Sequence, residues 1–131
     1  MTPAAALDYI RHHNLIGLRA GRHRASFLDI WMVVVDDRIF VRSWGLAERG
    51  WYHAFLADSQ GAIRCGEAML PVRAQVPADL VDLSPRISQA YLAKYDAGAN
   101  SYYAQGITRP EHVARTLELL PQPTTEPVAA P

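Results

Sequence analysis

The stretch from Phe27 to Asp58 restricts the possible folds more than any other part of this chain. It begins with a nine-residue run, Phe27 to Val35, rich in β-branched and aromatic side chains. Asp36-Asp37 interrupts it, and Arg38 to Ser43 then alternates polar and apolar residues. Two strand-like runs divided by a short acidic turn predict a β-hairpin. In the second run Ile39 and Val41 share one face, and Phe40 and Arg42 the other. After Trp44-Gly45 the period changes, because Ala47, Trp51, Ala54 and Phe55 recur at helical spacing. Arg42 and Ser43 therefore close a strand just ahead of a glycine turn and a helix start. Free backbone N–H groups and a positive helix end beside a cation and a hydroxyl make an anion cradle.

The flanking segments add helices and a second hairpin. Thr2-Pro3 reads as a cap and first helical position, with Leu7 and Ile10 facing inward. His12 and His13 are adjacent, so on a helix they diverge and do not share a metal. Gly17 to Ser26 is a loop or short strand carrying Arg19, Arg22, His23 and Arg24. Ala62–Ala68 and Leu70–Val76 read as two strands, with Cys65 sharing an inward face with Ile63 and Arg73 on the polar face. Ser84-Pro85 predicts the start of a helix reaching Asp96. Asn100 to Ile107, with Tyr102, Tyr103 and Gln105, is read as a last strand. Thr108 and Glu111 resemble a capping box opening a final helix, whose apolar face is Val113, Leu117 and Leu120. The expectation is one domain over residues 1–120, followed by a disordered proline-rich tail over 121–131. Hairpin-joined strands with helices packed outside give an α+β chain built on an antiparallel sheet or small barrel.

Composition narrows the function classes. The 131 residues carry no net formal charge, so electrostatics give no case for nucleic acid or an anionic membrane as partner. One cysteine excludes an intramolecular disulfide and fits a reducing, cytoplasmic setting. No signal peptide or membrane span is expected. GxGxxG, GxxxxGK(S/T), CxxC and HExxH are all missing, so Rossmann, P-loop and zinc readings lose their main support, and no metal site is expected.

Three segments carry a resemblance. Trp31 to Ser43 follows W-x-V-V-V-D-x-R-x-F/Y-V-R-S; Trp51-Tyr52 comes next; Ala90 to Tyr95 reads A-Y-x-x-K-Y. With the C-terminal segment Glu111 to Leu120, this pattern resembles a small uncharacterised bacterial family of the FMN-binding split-barrel superfamily. The superfamily includes pyridoxamine phosphate oxidases and deazaflavin-dependent reductases, alongside members that bind haem. The resemblance implies an antiparallel split β-barrel with flanking helices, forming a homodimer. It also implies a flavin cofactor, FMN or deazaflavin, and an oxidoreductase acting on a small-molecule substrate. Arg42, Ser43 and Arg49 match positions that hold the cofactor phosphate, and Trp51, Tyr52 and Arg73 are further candidates for the cofactor site. WYHAFLAD is similar to the W-Y-H-N-L motif of deazaflavin-dependent relatives, with Ala54 where those carry asparagine. The alternative is a non-enzymatic module that holds a small anionic metabolite or a protein partner on the same barrel. Haem through His53 or His23 is a third reading. For Arg42 the structural alternative is an ion pair with Asp29.

Overall fold

The strand-and-turn chemistry around Asp36-Asp37 closes the hairpin as anticipated. In the computed structural model, which describes residues 1–45 and 50–123, both aspartates adopt left-handed backbone, with φ 54° and 58°. This is the geometry that a two-residue turn joining twisted strands requires. The strands are β3 (Val33–Val35) and β4 (Arg38–Arg42), paired Val35 to Arg38 through Val33 to Phe40. Side-chain pairs fasten the turn on its outside, Asp37 to Arg11 and Asp36 to Arg86.

The nine-residue run before this turn is not one strand. It divides into β2 (Leu28–Ile30) and β3, which lie at opposite edges of the sheet. β1 (Ile16–Ala20) pairs with β2 on one side and with β5 (Gln60–Cys65) on the other. β5 forms a hairpin with β6 (Ala68–Gln75) through Gly66 at φ 67°. The whole is a seven-stranded antiparallel sheet in the order β2-β1-β5-β6-β7-β4-β3. It curls so strongly that its two edge strands are consecutive in the chain, separated only by Trp31-Met32. That is a split barrel: the seam is crossed by backbone and not by a strand ladder.

Two further expectations are corrected. The segment expected to be a terminal helix is a four-residue helix, α5 (Pro110–Val113), followed by the strand β7 (Thr116–Pro121) between β6 and β4. Val113, Leu117 and Leu120 do recur at helical spacing, but two neighbouring ladders outweigh a local preference. Pro121 therefore ends a strand, and Gln122 still donates its backbone N–H to the Pro71 carbonyl at 2.9 Å. The ordered domain thus extends beyond residue 120, and residues 124–131 of the expected tail lie outside those described. Asn100 to Ile107 is helical as well, a 3-10 turn over Gly98–Asn100 and then α4 (Ser101–Gly106). α4 buries Ala104 and Gly106, and its C-cap Ile107, three residues after Ala104, is buried as well, which is helix spacing.

The remaining helices pack as layers. α1 (Pro3–His12) is capped by the Thr2 hydroxyl, which accepts from the Ala5 N–H at 3.1 Å, and it buries Ala6 and Ile10. α2 (Trp51–Ala57) follows Gly50 at its N-cap and buries Phe55, while Ala47 of the expected helical pattern lies outside the described residues. Phe55 lies against Gly61, where an added Cβ would stand 2.7 Å from its ring. α3 (Leu80–Tyr95) begins five residues before Pro85. A proline there removes only the bond to the Val81 carbonyl, at an exposed turn. Inside the curl, Ile16, Leu18, Ile39, Val41, Ile63, Leu70, Leu117 and Leu119 form the main core, and Cys65 is buried among them. On the outer face of β3 and β4, Val33, Val35 and Phe40 pack against Leu83, Ile87, Tyr91 and Tyr95 of α3. Each fully buried aliphatic side chain contributes roughly 1.5–3 kcal/mol through removal from water. Beside this second core, Arg38 is gripped by Glu118 and Asp79, which raise its pKa further.

Candidate functional site

The seam is where the structure holds a cavity. Tyr95 fixes its backbone: its hydroxyl accepts from the Met32 N–H at 3.1 Å and faces the Asn14 carbonyl at 2.7 Å. Lys94 donates to the carbonyls of Ile10 and Met32. Trp31 stacks on the Tyr95 ring, with centroids 4.2 Å apart and planes 7° from parallel. Beside this clasp opens a cavity of about 530 Å³. Five aromatic side chains line it: Trp31 from the seam, Trp44 beyond β4, Trp51 at the start of α2, Tyr91 from α3 and Tyr103 from α4. Arg42 and Ser43 line it as well, together with the exposed Arg24 and Asp29.

Arg42 is the chemical centre of this cavity. It is only 4% exposed, yet among the described residues its guanidinium meets neutral acceptors alone. Nε donates to Thr116 Oγ1 at 3.0 Å, Nη1 to Ser88 Oγ at 2.8 Å and to the Ile107 carbonyl at 3.3 Å, and Nη2 to the Ser84 carbonyl at 3.1 Å. The alternative, a pairing with Asp29, is not made: Arg42 runs to the α3 face of the sheet, the face of Phe40. Burial lowers its pKa from the ordinary value. Among the described residues four of the five N–H groups are engaged, which leaves one donor on Nη2 and a full positive charge with no described carboxylate against it. Arg38, four residues earlier on the same face, shows the contrast with its two carboxylates. The Tyr91 phenol accepts the Arg42 backbone N–H at 2.9 Å, and burial pushes its pKa up, so it stays neutral.

Ser43 serves the turn more than the cavity. Its Oγ donates to the Gly45 carbonyl at 2.7 Å, its N–H reaches the Arg115 carbonyl, and its own carbonyl accepts from His112 Nδ1 at 3.0 Å. That last bond requires a proton on Nδ1. It holds the buried His112 ring flat against Trp44, with centroids 4.6 Å apart and planes at 7°. Trp44 also lies against Gly106, where a Cβ would stand 2.6 Å from its ring.

Of the six residues expected at a site, the structure brings Arg42, Ser43 and Trp51 to one cavity. Arg49 lies outside the described residues. Tyr52 is half-buried against the barrel core, with the Arg115 guanidinium 5.1 Å from its ring centre, and does not line the cavity. Arg73 is exposed and lines a separate depression with Gln60 and Pro71. Ala54 packs on the barrel core. His53 stands edge-on to Tyr52. Among the described residues no group of three histidine, cysteine or acidic side chains is placed to hold a metal. Trp31, Trp44 and Tyr91 escaped sequence reasoning as site residues. The signal for Trp44 was present: a large aromatic in a turn directly after a strand-end arginine. No described helix is long and apolar enough to cross a membrane.

The same architecture occurs in solved structures. The conserved hypothetical protein Rv2991 of Mycobacterium tuberculosis superposes with a TM-score of 0.54 at 11% identity, over 91% of this chain and 78% of that one. A FAD-binding protein of Mesorhizobium loti, mll6688, superposes with a TM-score of 0.53 at 11% identity, over 92% of this chain and 88% of that one. At such identity the likeness shows the split-barrel fold alone. No curated protein matches the sequence. Residues 7–119 match the model of DUF2255, described as an uncharacterised protein conserved in bacteria, and the chain belongs to that family.

Proposed function

We propose that the seam cavity binds a flavin-type cofactor and that the protein is an oxidoreductase acting on a small molecule. The observation that carries this reading is a cavity of about 530 Å³ lined by three tryptophans beside a buried arginine that has no carboxylate partner among the described residues. Its volume lies within the range of roughly 300–1,000 Å³ typical of ligand sites. Flat aromatic walls suit a planar ring system, and an uncompensated guanidinium suits an anionic group on it. The likeness of fold to a protein described as FAD-binding agrees with this. A bound flavin supplies hydride and single-electron chemistry. Trp31, Trp44 and Trp51 would hold its ring and exclude water. Arg42 would take negative charge through its remaining N–H. The neutral Tyr91 phenol keeps the Arg42 backbone in place. Leu15, Leu28, Trp44, Tyr102 and Tyr103 leave an exposed apolar rim, and a second copy of the chain covering it would make the homodimer part of the site.

The test is a titration of the full chain with FMN, FAD and a deazaflavin, following tryptophan fluorescence. Quenching with a dissociation constant of about 10 µM or tighter for one of them is expected, weakened in Trp51→Leu. No binding by any of the three at roughly 100 µM would refute the reading. Arg42→Lys is the informative arginine variant, since it keeps the charge but loses the planar fork, whereas Arg42→Ala also strips a partner from four buried or part-buried groups. The second reading is a non-enzymatic module for a small anionic metabolite. It is favoured by one observation: the Ser43 hydroxyl is committed to its own turn and is not offered to a cofactor phosphate. A protein that ignores all three flavins but is stabilised by small carboxylates or phosphates would establish it.

A further inference from the structure

Two arginines on the outside of the barrel are organised in a way that the cavity does not explain. Arg19 on β1 and Arg64 on β5 both stand over the ring of Phe27, with guanidinium carbons 5.1 Å and 4.7 Å from its centre. The two cationic carbons can be no farther apart than the sum of those distances. Sequence and register build this arrangement. Gly17 pairs with Arg64 on one side and with Asp29 on the other. Because Gly17 has no side chain, the Arg64 side chain lies across β1 toward Phe27. A Cβ at position 17 would stand 3.2 Å from Arg64 Cβ, 3.5 Å from Arg64 Nε and 3.4 Å from Phe27 Cβ.

Neither guanidinium has an ion-pair partner among the described residues. Arg11, Arg22, Arg38 and Arg86 each hold a carboxylate, and Asp29, across Gly17 from Arg64, pairs with neither cation. Arg19 Nε is buried and makes no hydrogen bond. A buried donor without an acceptor is uncommon and calls for a missing partner. Two like charges gathered on one ring repel each other, and a bridging anion removes that repulsion. Contact through the ring face leaves the N–H edges of a guanidinium available, and two forks suit the several oxygens of a tetrahedral oxyanion.

We infer that Arg19, Phe27 and Arg64 form an oxyanion-binding site for a phosphoryl group, distinct from the seam cavity. The site stands whether or not the cavity takes a flavin. Phe27 fixes the two forks, Gly17 admits Arg64, and the bound group takes the open N–H edges of both guanidinium groups and compensates their charge. The phosphoryl group has two possible sources, a separate phosphorylated metabolite or the phosphate tail of the molecule seated in the cavity, whose lining includes Leu28 and Asp29 from the strand next to Phe27.

The experiment titrates inorganic phosphate into the full chain, with chloride adjusted to constant ionic strength, and follows the side-chain Nε–H resonances of Arg19 and Arg64. Saturable shifts of both are expected. In Arg64→Gln, an exposed position that leaves the core untouched, the Arg19 shift should need at least about tenfold more phosphate. Shifts that follow salt linearly, or an Arg19 response unchanged in Arg64→Gln, would overturn the site. Parallel titrations with riboflavin and FMN identify the source. If FMN moves both resonances and riboflavin moves neither, the phosphate belongs to the cavity ligand. If inorganic phosphate moves them while FMN does not, the ligand is separate.

Discussion

Tyr95→Phe isolates the energetics of the barrel seam. The substitution keeps the ring, and with it the stack on Trp31 at 4.2 Å, so packing is preserved. It removes one oxygen that accepts from the Met32 N–H and faces the carbonyls of Asn14 and Met32. The Met32 carbonyl retains Lys94. The Met32 N–H loses its acceptor in a residue with no exposed surface. A buried donor left unsatisfied costs about 1–3 kcal/mol, so a destabilisation near 2 kcal/mol is expected. With a urea m-value of about 2 kcal/mol/M for a domain of this size, the midpoint should fall by roughly 1 M at unchanged m. Amide exchange at Met32 should accelerate more than at Ile39 or Leu117, which lie in interior strands. A loss below about 0.5 kcal/mol, or exchange that accelerates equally everywhere, would refute the idea that this hydroxyl holds the seam.

Three further outcomes follow from other parts of the structure. Asp37→Gly relieves a left-handed aspartate worth about 1 kcal/mol and gives up an exposed ion pair with Arg11 worth less than that, so a small net gain in urea stability is expected. Gly106→Ala drives a Cβ to 2.6 Å from the Trp44 ring; Trp44 should leave its stack on His112, seen as a shift in tryptophan emission, at a stability cost of about 1–3 kcal/mol. Burial lowers the pKa of Lys94 to about 8. Between that value and the ordinary one, 10.5, the unfolded chain binds the extra proton. Stability relative to Lys94→Met should therefore rise as pH climbs through this window, and a flat difference would contradict the shift.

How much of this was legible in the sequence depended on whether the deciding contact was local. The β3–β4 hairpin and the cap of α1 are set by Asp36-Asp37 and Thr2-Pro3, within a few residues of the structure they specify. The break between β2 and β3 is not, because Met32 is pinned by Tyr95, 63 positions later, and nothing inside Phe27–Val35 marks a boundary. β7 is the sharper case. Leu117 and Leu120 fit a helix stripe, and the sequence gives no sign that Thr116 and Glu118 are also buried. They are buried because Arg42 and Arg38 approach on that face, Arg42 with Nε on the Thr116 hydroxyl and Arg38 in a paired contact with Glu118. A strand buried on both faces loses the alternation that would betray it. The cavity shows the same limit. Arg42, Ser43 and Trp51 came from one contiguous stretch and could be read together, whereas Tyr91 and Tyr103 reach it from distant helices.

The motif A-Y-x-x-K-Y on α3 ties these features to one helix face. Tyr91 and Tyr95 are four apart and Lys94 three after Tyr91, so all three project toward the sheet side of a single helix. Tyr91 takes the backbone N–H of Arg42, while Ser84 and Ser88, earlier on α3, take its guanidinium. Lys94 and Tyr95 take the backbone of Met32 at the seam. The cavity floor and the seam are thus positioned by one rigid element, and a movement of α3 large enough to open the seam would also withdraw the acceptors around Arg42. A ligand that binds Arg42 in its present place therefore favours the closed seam by whatever free energy separates its affinity for the two arrangements. This explains why a buried cation with neutral partners is tolerable here. Its four acceptors are fixed by helix and sheet contacts made for other reasons, so the charge is solvated by groups that needed no reorganisation to receive it.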